Sequence, residues 1–378
     1  MSEPSPELSS ATPGALPEAL REARRPLCLG IGGGGDVVGA LATAEHCRIE
    51  YGARPVLGGV TWERRPIDPE PGPRRSAEIE GARVLGSEAG AERRGADAER
   101  RASGADTELR ASGADTGRRA STAPGAPPVL LASAHTRVRS SGVRFAESRM
   151  AELLGEETVL VDPNHGPAAI AAGLGEAAAT LRCDLVVFVD VGGDVLAHGD
   201  EPGLASPLCD SVLLAAAVRM AERPSARVRM AERPSPKILG AVFGIGCDGE
   251  LTPDEVLERL HEVDRHGGLL GRLPIEEPVA RRLDKAVAAV PTEASALALR
   301  AFRGESGPIE IRSGRRTVDL RPLAAATVFF DPVVAADSAA RLARAVHDAP
   351  HLEAANDILH ELGVRSELDY EREASTAV

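Results

Sequence analysis

Aromatic residues and a cationic surplus are what this chain of 378 residues most conspicuously lacks. Phe, Tyr and Trp make up 2% of it, and 57 acidic residues face 44 basic ones, for a formal net charge of −13. Binding to nucleic acid needs a cationic surface and commonly aromatic stacking, so no nucleic-acid partner is expected. No apolar run approaches the roughly 18 residues of a membrane span, and the N-terminal segment lacks the apolar core of a secretory signal. We therefore expect a cytoplasmic protein without a membrane partner.

Cysteine is also scarce and is not arranged for metal or redox chemistry. The five cysteines are widely spaced and form no C-x-x-C pair, which excludes a zinc ribbon or a redox dithiol. Cys28 and Cys183 lie in or beside apolar runs, where cysteine behaves as a small buried hydrophobe. A reduced compartment is the consistent setting.

Three segments have too few apolar residues to build a core. Residues 1–24 predict a disordered tail, and residues 86–126 repeat Gly-Ala-Asp at a nine-residue period, which predicts a disordered insert. The eight residues 218–225 recur at 228–235, and both copies end in Pro-Ser, which predicts a duplicated surface loop over 224–235. The remainder of 25–378 is predicted to be a single α/β domain.

That remainder alternates short apolar runs with helical patterns. Strands are predicted at 26–31, 55–60, 128–132, 158–161, 184–189 and 237–243, and helices at 37–47, 146–154, 167–181 and 207–222. Continuous apolar strands suit a sheet that is buried on both faces. We predict a doubly wound, mostly parallel, Rossmann-like sheet with helices on both faces. Beyond residue 275 a hairpin (308–311 with 317–320) and a strand (327–330) form a cap or the far edge of the sheet.

A glycine-rich loop follows the first predicted strand. Gly32, Gly33, Gly34 and Gly35 precede Asp36, which opens the first predicted helix. Glycines let backbone N–H groups approach an anion at a helix N-terminus, so the loop is a candidate binding site for an anion or nucleotide. The Asp36 carboxylate would repel a phosphate, unless it caps the helix or holds a cation that bridges to the phosphate. A tight structural turn and a nicotinamide site remain alternatives.

Acidic residues concentrate where the fifth predicted strand ends. Asp190 and Asp194 flank Gly192 and Gly193, and His198 follows them. Carboxylates in a loop favour Mg²⁺ or Mn²⁺ over zinc, so Asp36, Asp190 and Asp194 are the candidate metal ligands. Asp190, Asp194 and His198 are the candidate catalytic residues. The alternative is a solvated turn without a ligand, followed by a helix that Ser206 caps. Ser206 is also a candidate ligand-binding residue.

A third loop carries the single tryptophan of the chain. Trp62, Glu63 and Arg64 follow the second predicted strand. Arg64, with Arg74, would clamp a phosphate or carboxylate, and Trp62 would stack on a base or sugar. Glu63 is the nearest candidate for contacting a ribose, although it lies further along the chain than a dinucleotide enzyme requires. The alternative is a rigid loop with Trp62 packed against the sheet.

Five loops of this kind should meet at one edge of a parallel sheet, and this convergence predicts a functional site better than any single motif does. The loops follow the strands predicted at 26–31, 55–60, 158–161, 184–189 and 237–243. The chain has no Gly-x-Ser-x-Gly elbow, Walker lysine or His-Glu-x-x-His, which argues against the corresponding hydrolases, nucleotidases and metalloproteases.

The sequence resembles domain-of-unknown-function family 1152 over residues 30–39, 55–74, 184–210 and the tail 362–370. That family brings no established reaction, so the resemblance implies no catalytic role. We expect a protein that binds a small anionic metabolite or nucleotide with a divalent cation, and metal-assisted or acid/base chemistry of the hydrolase or lyase type if it turns its ligand over. The alternatives are a non-catalytic metabolite sensor, a nicotinamide-dependent enzyme and a scaffold that binds partners through its insert.

Overall fold

The fold is known from a computed structural model that describes residues 15–85, 126–222 and 235–376. Strands run through the whole of this part of the chain: β1 (Pro26–Gly30), β2 (Val56–Val60), β3 (Ile79–Glu80), β4 (Arg83–Val84), β5 (Val129–Ala132), β6 (Arg137–Val138), β7 (Thr158–Val161), β8 (Leu185–Val191), β9 (Lys237–Phe243), β10 (Leu269–Pro274), β11 (Gly307–Ile311), β12 (Arg316–Leu320) and β13 (Ala326–Phe330).

The helices alternate with these strands, as predicted. They are α1 (Ala15–Glu22), α2 (Asp36–Tyr51), α3 (Ala146–Leu154), α4 (Gly166–Leu181), α5 (Pro207–Glu222), α6 (Pro253–Arg265), α7 (Glu277–Ala289), α8 (Glu293–Phe302), α9 (Pro332–Asp337), α10 (Arg341–Ala345), α11 (Leu352–Glu361) and α12 (Glu367–Thr376). Over the three described ranges, no helix is both long enough and apolar enough to cross a membrane.

Nine strands form one sheet in the order β10-β13-β9-β8-β1-β2-β7-β5-β4. The five central strands, β9 to β7 in that order, pair in parallel. This arrangement confirms the predicted mostly parallel α/β sheet. Strand β5, which is as apolar as the parallel strands, pairs antiparallel with β7. The predicted strand at 327–330 is β13, which lies antiparallel to β9 towards the far edge of the sheet. Its other neighbour, β10, forms that edge and was not predicted from the sequence.

Successive residues of β1 show why the strands are apolar throughout. Leu27 and Leu29 pack into a core with α4 and α5, whereas Cys28 between them packs into a second core with α2, α7 and α8. Side chains of a strand alternate between the two faces of the sheet, and here both faces are covered by helices. The sheet is therefore doubly wound. All five cysteines are buried and unpaired with one another, as expected of small hydrophobes.

The N-terminal boundary of the domain needs a correction. A disordered tail was predicted over residues 1–24, but Ala15–Glu22 forms helix α1. Leu20 is fully buried and Ala23 nearly so, and both join the core on the α2 side of the sheet. Their apolar contacts stabilise a segment whose composition alone suggested disorder. Residues 1–14, 86–125 and 223–234, which carry the rest of the tail, the predicted insert and most of the duplicated loop, lie outside the described residues.

The glycine at the end of β1 should be intolerant of any side chain. A Cβ atom at Gly30 would lie 2.5 Å from the carbonyl carbon of Asp36, which is backbone and cannot rotate away. We expect Gly30→Ala to lower the free energy of unfolding by about 1–3 kcal/mol, measured by urea denaturation. Gly52→Ala is the control, because Gly52 faces open space and only its φ of 64° is strained. Its loss should be about 1 kcal/mol, and an equal or larger loss than at Gly30 would contradict the prediction.

Candidate functional site

The five parallel strands all end at the same edge of the sheet, and the loops that follow them carry the predicted site residues. The loop after β1 brings Asp36, the turn after β8 brings Asp194, and the loop after β9 brings Asp248 and Glu250. Asp190 is itself part of β8, one residue before its end. The carboxyl edge of a parallel sheet is where open α/β folds place their ligands.

Six carboxyl groups form an acidic cluster at this edge. The carboxylate oxygens of Asp36, Asp190 and Asp210 lie within 4.8 Å of one another, and so do those of Asp194, Asp248 and Glu250. The structure thus brings together the three predicted metal ligands, Asp36, Asp190 and Asp194, but divides them between two triads. A third group, His198 with Asp200 and Glu201, meets the same distance limit.

The cluster is buried, and parts of it have no partner within the protein. Asp190, Asp210 and Asp248 are 1%, 2% and 6% exposed, and one carboxylate oxygen of each (Oδ2, Oδ1 and Oδ1) accepts no hydrogen bond. Buried polar atoms in folded proteins nearly always have a partner. Three orphaned carboxylate oxygens in one place therefore call for an explanation.

Burial makes these carboxyl groups hard to ionise without a counter-charge. It raises the pKa of Asp36 to about 7, against the N–H of Gly32 and the charge of Arg64, and with help from Glu250 it raises the pKa of Asp248 to about 7. Burial, together with the neighbouring carboxylates, raises the pKa of Asp190, Asp194 and Asp210 well above the ordinary range. A bound cation would reverse this effect, because it stabilises the ionised forms.

Two N–H groups of the glycine-rich loop already have partners within the protein. The Gly32 N–H donates to Asp36 Oδ2 (2.9 Å), and the Gly34 N–H donates to the Trp62 carbonyl (2.9 Å). A Cβ atom at Gly32 would lie 2.7 Å from Asp36 Oδ2 and 2.9 Å from Asp210 Oδ2, which explains the glycine there. Asp36 thus binds the loop that precedes its helix, and the surface over Gly32 is acidic. Gly33 and Gly35 pack closely against Trp62 and Thr292.

Arg64 contacts the glycine-rich loop directly. Its Nη2 donates to the Gly32 carbonyl (2.6 Å), and its guanidinium lies 4.3 Å from the centre of the Trp62 ring. Glu367 and Glu371 of α12 also contact Arg64, and the side chain stays about a quarter exposed. Trp62 is fully buried, and its Nε1 donates to Glu371. The indole therefore orients Arg64 in this structure and has no exposed face on which a base or sugar would stack.

Glu63 contacts the start of α3 and lies beside a second buried acid, Glu147. The Ala146 N–H at the start of α3 donates to the Glu63 carboxylate, so Glu63 caps that helix and is not presented to a ribose. Burial raises the pKa of Glu63 to about 7, although the Ala146 N–H opposes this shift. Glu147 lies beside it, with Oε2 buried and without a partner, and burial followed by the charge of Glu63 raises the pKa of Glu147 well above its usual range.

His198 and Ser206 both make contacts that support the loops. His198 Nε2 lies 2.9 Å from Glu262 Oε2, and Nδ1 lies 2.7 Å from Arg259 Nη1, so both ring nitrogens face residues of α6. Ser206 donates its hydroxyl hydrogen to Glu250 Oε1 (2.6 Å). A role for His198 in acid/base chemistry and for Ser206 in ligand binding stays a prediction.

The N-terminus of α5 is held by glutamates from distant parts of the chain. Glu250 Oε2 accepts from the N–H groups of Ala205 and Ser206, and Glu367 accepts from those of Leu208 and Cys209. Carboxylates are favourable at this end of a helix, where unpaired N–H groups carry partial positive charge. These contacts place Asp210, in the first turn of α5, against the cluster.

Sequence reasoning did not select Asp210, Asp248 or Glu250 as site residues. Asp210 could have been selected from the sequence, because it is the one acid among the mostly apolar residues Leu208–Leu214 of α5. Asp248 and Glu250 follow β9 and belong to the fifth converging loop. Arg312 and Arg316 had no such signal, since they reach Glu250 from the separate hairpin formed by β11 and β12 (3.6 and 3.7 Å to Oε1).

The fold and the acidic cluster place this chain in a class of proteins: α/β proteins with a Rossmann-like sheet and buried carboxylates at the carboxyl edge of that sheet. The family model described as a protein of unknown function (DUF1152) matches residues 27–119 and 126–375. The chain belongs to that family. Comparison with curated proteins and with solved structures finds no match.

The Glu63–Glu147 pair should make the protein less stable as the pH rises. A carboxyl group with a raised pKa in the folded state stabilises the fold fully below its unfolded pKa, and this contribution is lost as the pH passes its folded pKa, here about 7 for Glu63. Glu147→Gln removes one of the two charges. We expect its free energy of unfolding, relative to the unmodified chain, to improve by about 1 kcal/mol or more from about pH 5 to about pH 8.

Urea denaturation at both pH values measures this change, with Glu156→Gln as the matched control. Glu156 is exposed in the loop after α3, so its neutralisation should have no comparable pH dependence. Parallel pH profiles for the Glu147→Gln variant and the unmodified chain would contradict the prediction.

Proposed function

We propose that the chain binds a divalent cation on Asp36, Asp190 and Asp210 and, through that cation, a small anionic metabolite or nucleotide. The observation that carries the proposal is the pair of orphaned oxygens, Asp190 Oδ2 and Asp210 Oδ1, within a triad of converging carboxylates. Burying ionised carboxylates without a counter-charge costs several kcal/mol each. A cation supplies both the missing charge and the missing partner.

The donor set favours Mg²⁺ or Mn²⁺. All three side chains offer carboxylate oxygens, and neither histidine nor cysteine belongs to this triad. Hard divalent cations prefer such oxygens, whereas zinc favours nitrogen and sulfur ligands. Mg²⁺ commonly keeps water or ligand oxygens in its remaining positions, which is how an anionic ligand would join the site.

Arg64 supports the anionic character of the ligand. It lies against Gly32 and remains about a quarter exposed, with its orientation set by Trp62 and by two glutamates of α12. A guanidinium held beside a carboxylate-bound cation suits a ligand that carries phosphate or carboxylate oxygens. Gly192 and Gly193 were also predicted to let a ligand approach, but a Cβ atom there would meet Asp248 and Val256, so protein side chains already fill this space.

A cation in this position would polarise an anionic ligand and lower the pKa of bound water. The role of Asp190 is then to hold the cation, because a carboxylate bound to a cation stays ionised and has no proton to transfer. Metal-assisted hydrolysis or proton transfer is therefore the chemistry that we propose. Incubation of the purified chain with a metabolite extract and Mn²⁺, followed by mass spectrometry, tests for turnover; depletion of no metabolite would leave a binding protein.

Cation binding should appear as thermal stabilisation that depends on the triad. We expect Mn²⁺ to raise the melting temperature of the unmodified chain, because a ligand that binds only the folded state stabilises it. Asp190→Asn and Asp210→Asn each replace a charged ligand by a neutral amide and should reduce the shift by more than half, an effect of about tenfold or more on affinity.

Asp357→Asn is the matched control for the same measurement. Asp357 is an exposed carboxylate on α11 outside the cluster, so its variant should keep the full Mn²⁺ shift. Differential scanning fluorimetry with Mn²⁺, Mg²⁺ and Na⁺ at equal ionic strength separates specific binding from charge screening. Shifts in the Asp190 and Asp210 variants equal to that of the control would overturn the proposed site.

A further inference from the structure

We propose that Asp194, Asp248 and Glu250 hold a second divalent cation beside the first, and that the two cations together bind a phosphate group of the ligand. This inference rests on the proposed function, since it adds a cation to the same site. It also goes further, because it names the number of cations and the chemical class of the ligand.

The second triad meets the same geometric condition as the first. Its carboxylate oxygens lie within 4.8 Å of one another, and the three residues are all more than nine-tenths buried. Asp248 Oδ1 is buried and accepts no hydrogen bond, so this triad has an orphaned oxygen of its own. This unpartnered buried oxygen is an observation independent of the acidic clustering, and a bound cation would give it a partner.

Glu250 is fixed in place before any cation binds. Its Oε2 accepts from two backbone N–H groups, those of Ala205 and Ser206 (both 2.7 Å), and its Oε1 accepts from the Ser206 hydroxyl. These bonds order the side chain, and a carboxylate oxygen of Glu250 lies close to the other two acids. A ligand held in this way loses little conformational freedom on binding.

One glycine turn joins the two triads. Asp190 belongs to the first and Asp194 to the second, and Gly192 and Gly193 lie between them with φ values of 129° and 124°. A Cβ atom at Gly192 would overlap the carboxyl group of Asp248. The turn therefore needs glycine to bring Asp248 against the strand that ends at Asp190 and Val191, and this packing places the two triads side by side.

The third acidic group lacks these features. His198 and Glu201 are already engaged, with Arg259 and Glu262 against the ring and the N–H groups of His198 and Gly199 donating to Glu201. None of its polar atoms is both buried and without a partner in the described part of the chain. It therefore carries no cation in this proposal.

Arginine beside the second triad indicates what the cations would bind. Arg316 Nη1 is buried and has no hydrogen-bond partner, and it lies 3.7 Å from Glu250 Oε1. Arg312 reaches the same oxygen at 3.6 Å. A buried guanidinium N–H that is unpartnered next to a cation site suits an oxygen shared between them. A phosphate has enough oxygens to contact two cations and an arginine together, as in two-metal phosphoryl sites.

The test is to count Mn²⁺ on the full chain and to detect whether the ions are neighbours. Equilibrium dialysis should give two Mn²⁺ per chain, and electron paramagnetic resonance should show the broadened spectrum of a spin-coupled pair. Asp248→Asn should leave one Mn²⁺ with an isolated six-line spectrum, and Asp357→Asn should keep both ions. If Asp248→Asn does not fold, Asp194→Asn removes a different ligand from the same triad.

Inorganic phosphate is the probe for the ligand class. It should alter the spectrum of the coupled pair, and Arg316→Gln should weaken the phosphate effect about tenfold while two Mn²⁺ remain bound. Equal phosphate affinity in the Arg316→Gln variant would overturn the ligand assignment. One uncoupled Mn²⁺ in the unmodified chain would overturn the second cation and leave the proposed function intact. No Mn²⁺ at all would overturn both.

Discussion

The desolvation of carboxylates at the carboxyl edge of the sheet is the constraint around which this structure is organised. Six acids meet there, and the interior that surrounds them penalises every charge that lacks a partner. Arg64 and the backbone N–H groups that donate to Glu250 and Glu367 offset part of this penalty. One carboxylate oxygen each of Asp190, Asp210 and Asp248 remains buried without a hydrogen-bond donor. These unpaired acceptors are the observation on which the proposed cation site rests.

The fold creates this constraint by its topology. Parallel strands end at one edge, so their loops converge although they are far apart in the sequence. Glycines then let backbone and carboxyl groups approach more closely than side chains would allow, as Gly32 does against Asp210 and Gly192 against Asp248. Helix α12 closes the arrangement from the other end of the chain, because Glu367 binds both Arg64 and the start of α5.

Much of the fold was predictable because apolar runs and helix signals are local. The strand bounds 158–161 and 237–243 and the helix bounds 146–154 and 207–222 agree with the structure. Pairing direction was not predictable, since the antiparallel β5 has the same apolar composition as its parallel neighbours. The same limit applies to individual side chains: Trp62 and Glu63 stand next to the right loop, but burial and helix capping decide what they contact.

The sequence by itself determined the alternation of strands and helices, the surplus of acidic over basic residues and the presence of acidic glycine loops at strand ends. These properties depend on composition and short-range periodicity. Only the tertiary structure decided that Asp210 joins Asp36 and Asp190, and that Asp194 pairs with Asp248 and Glu250 instead. Such groupings depend on which helix and which loop pack at one edge, and the energy of burying a carboxylate is set there by neighbours that no local pattern specifies.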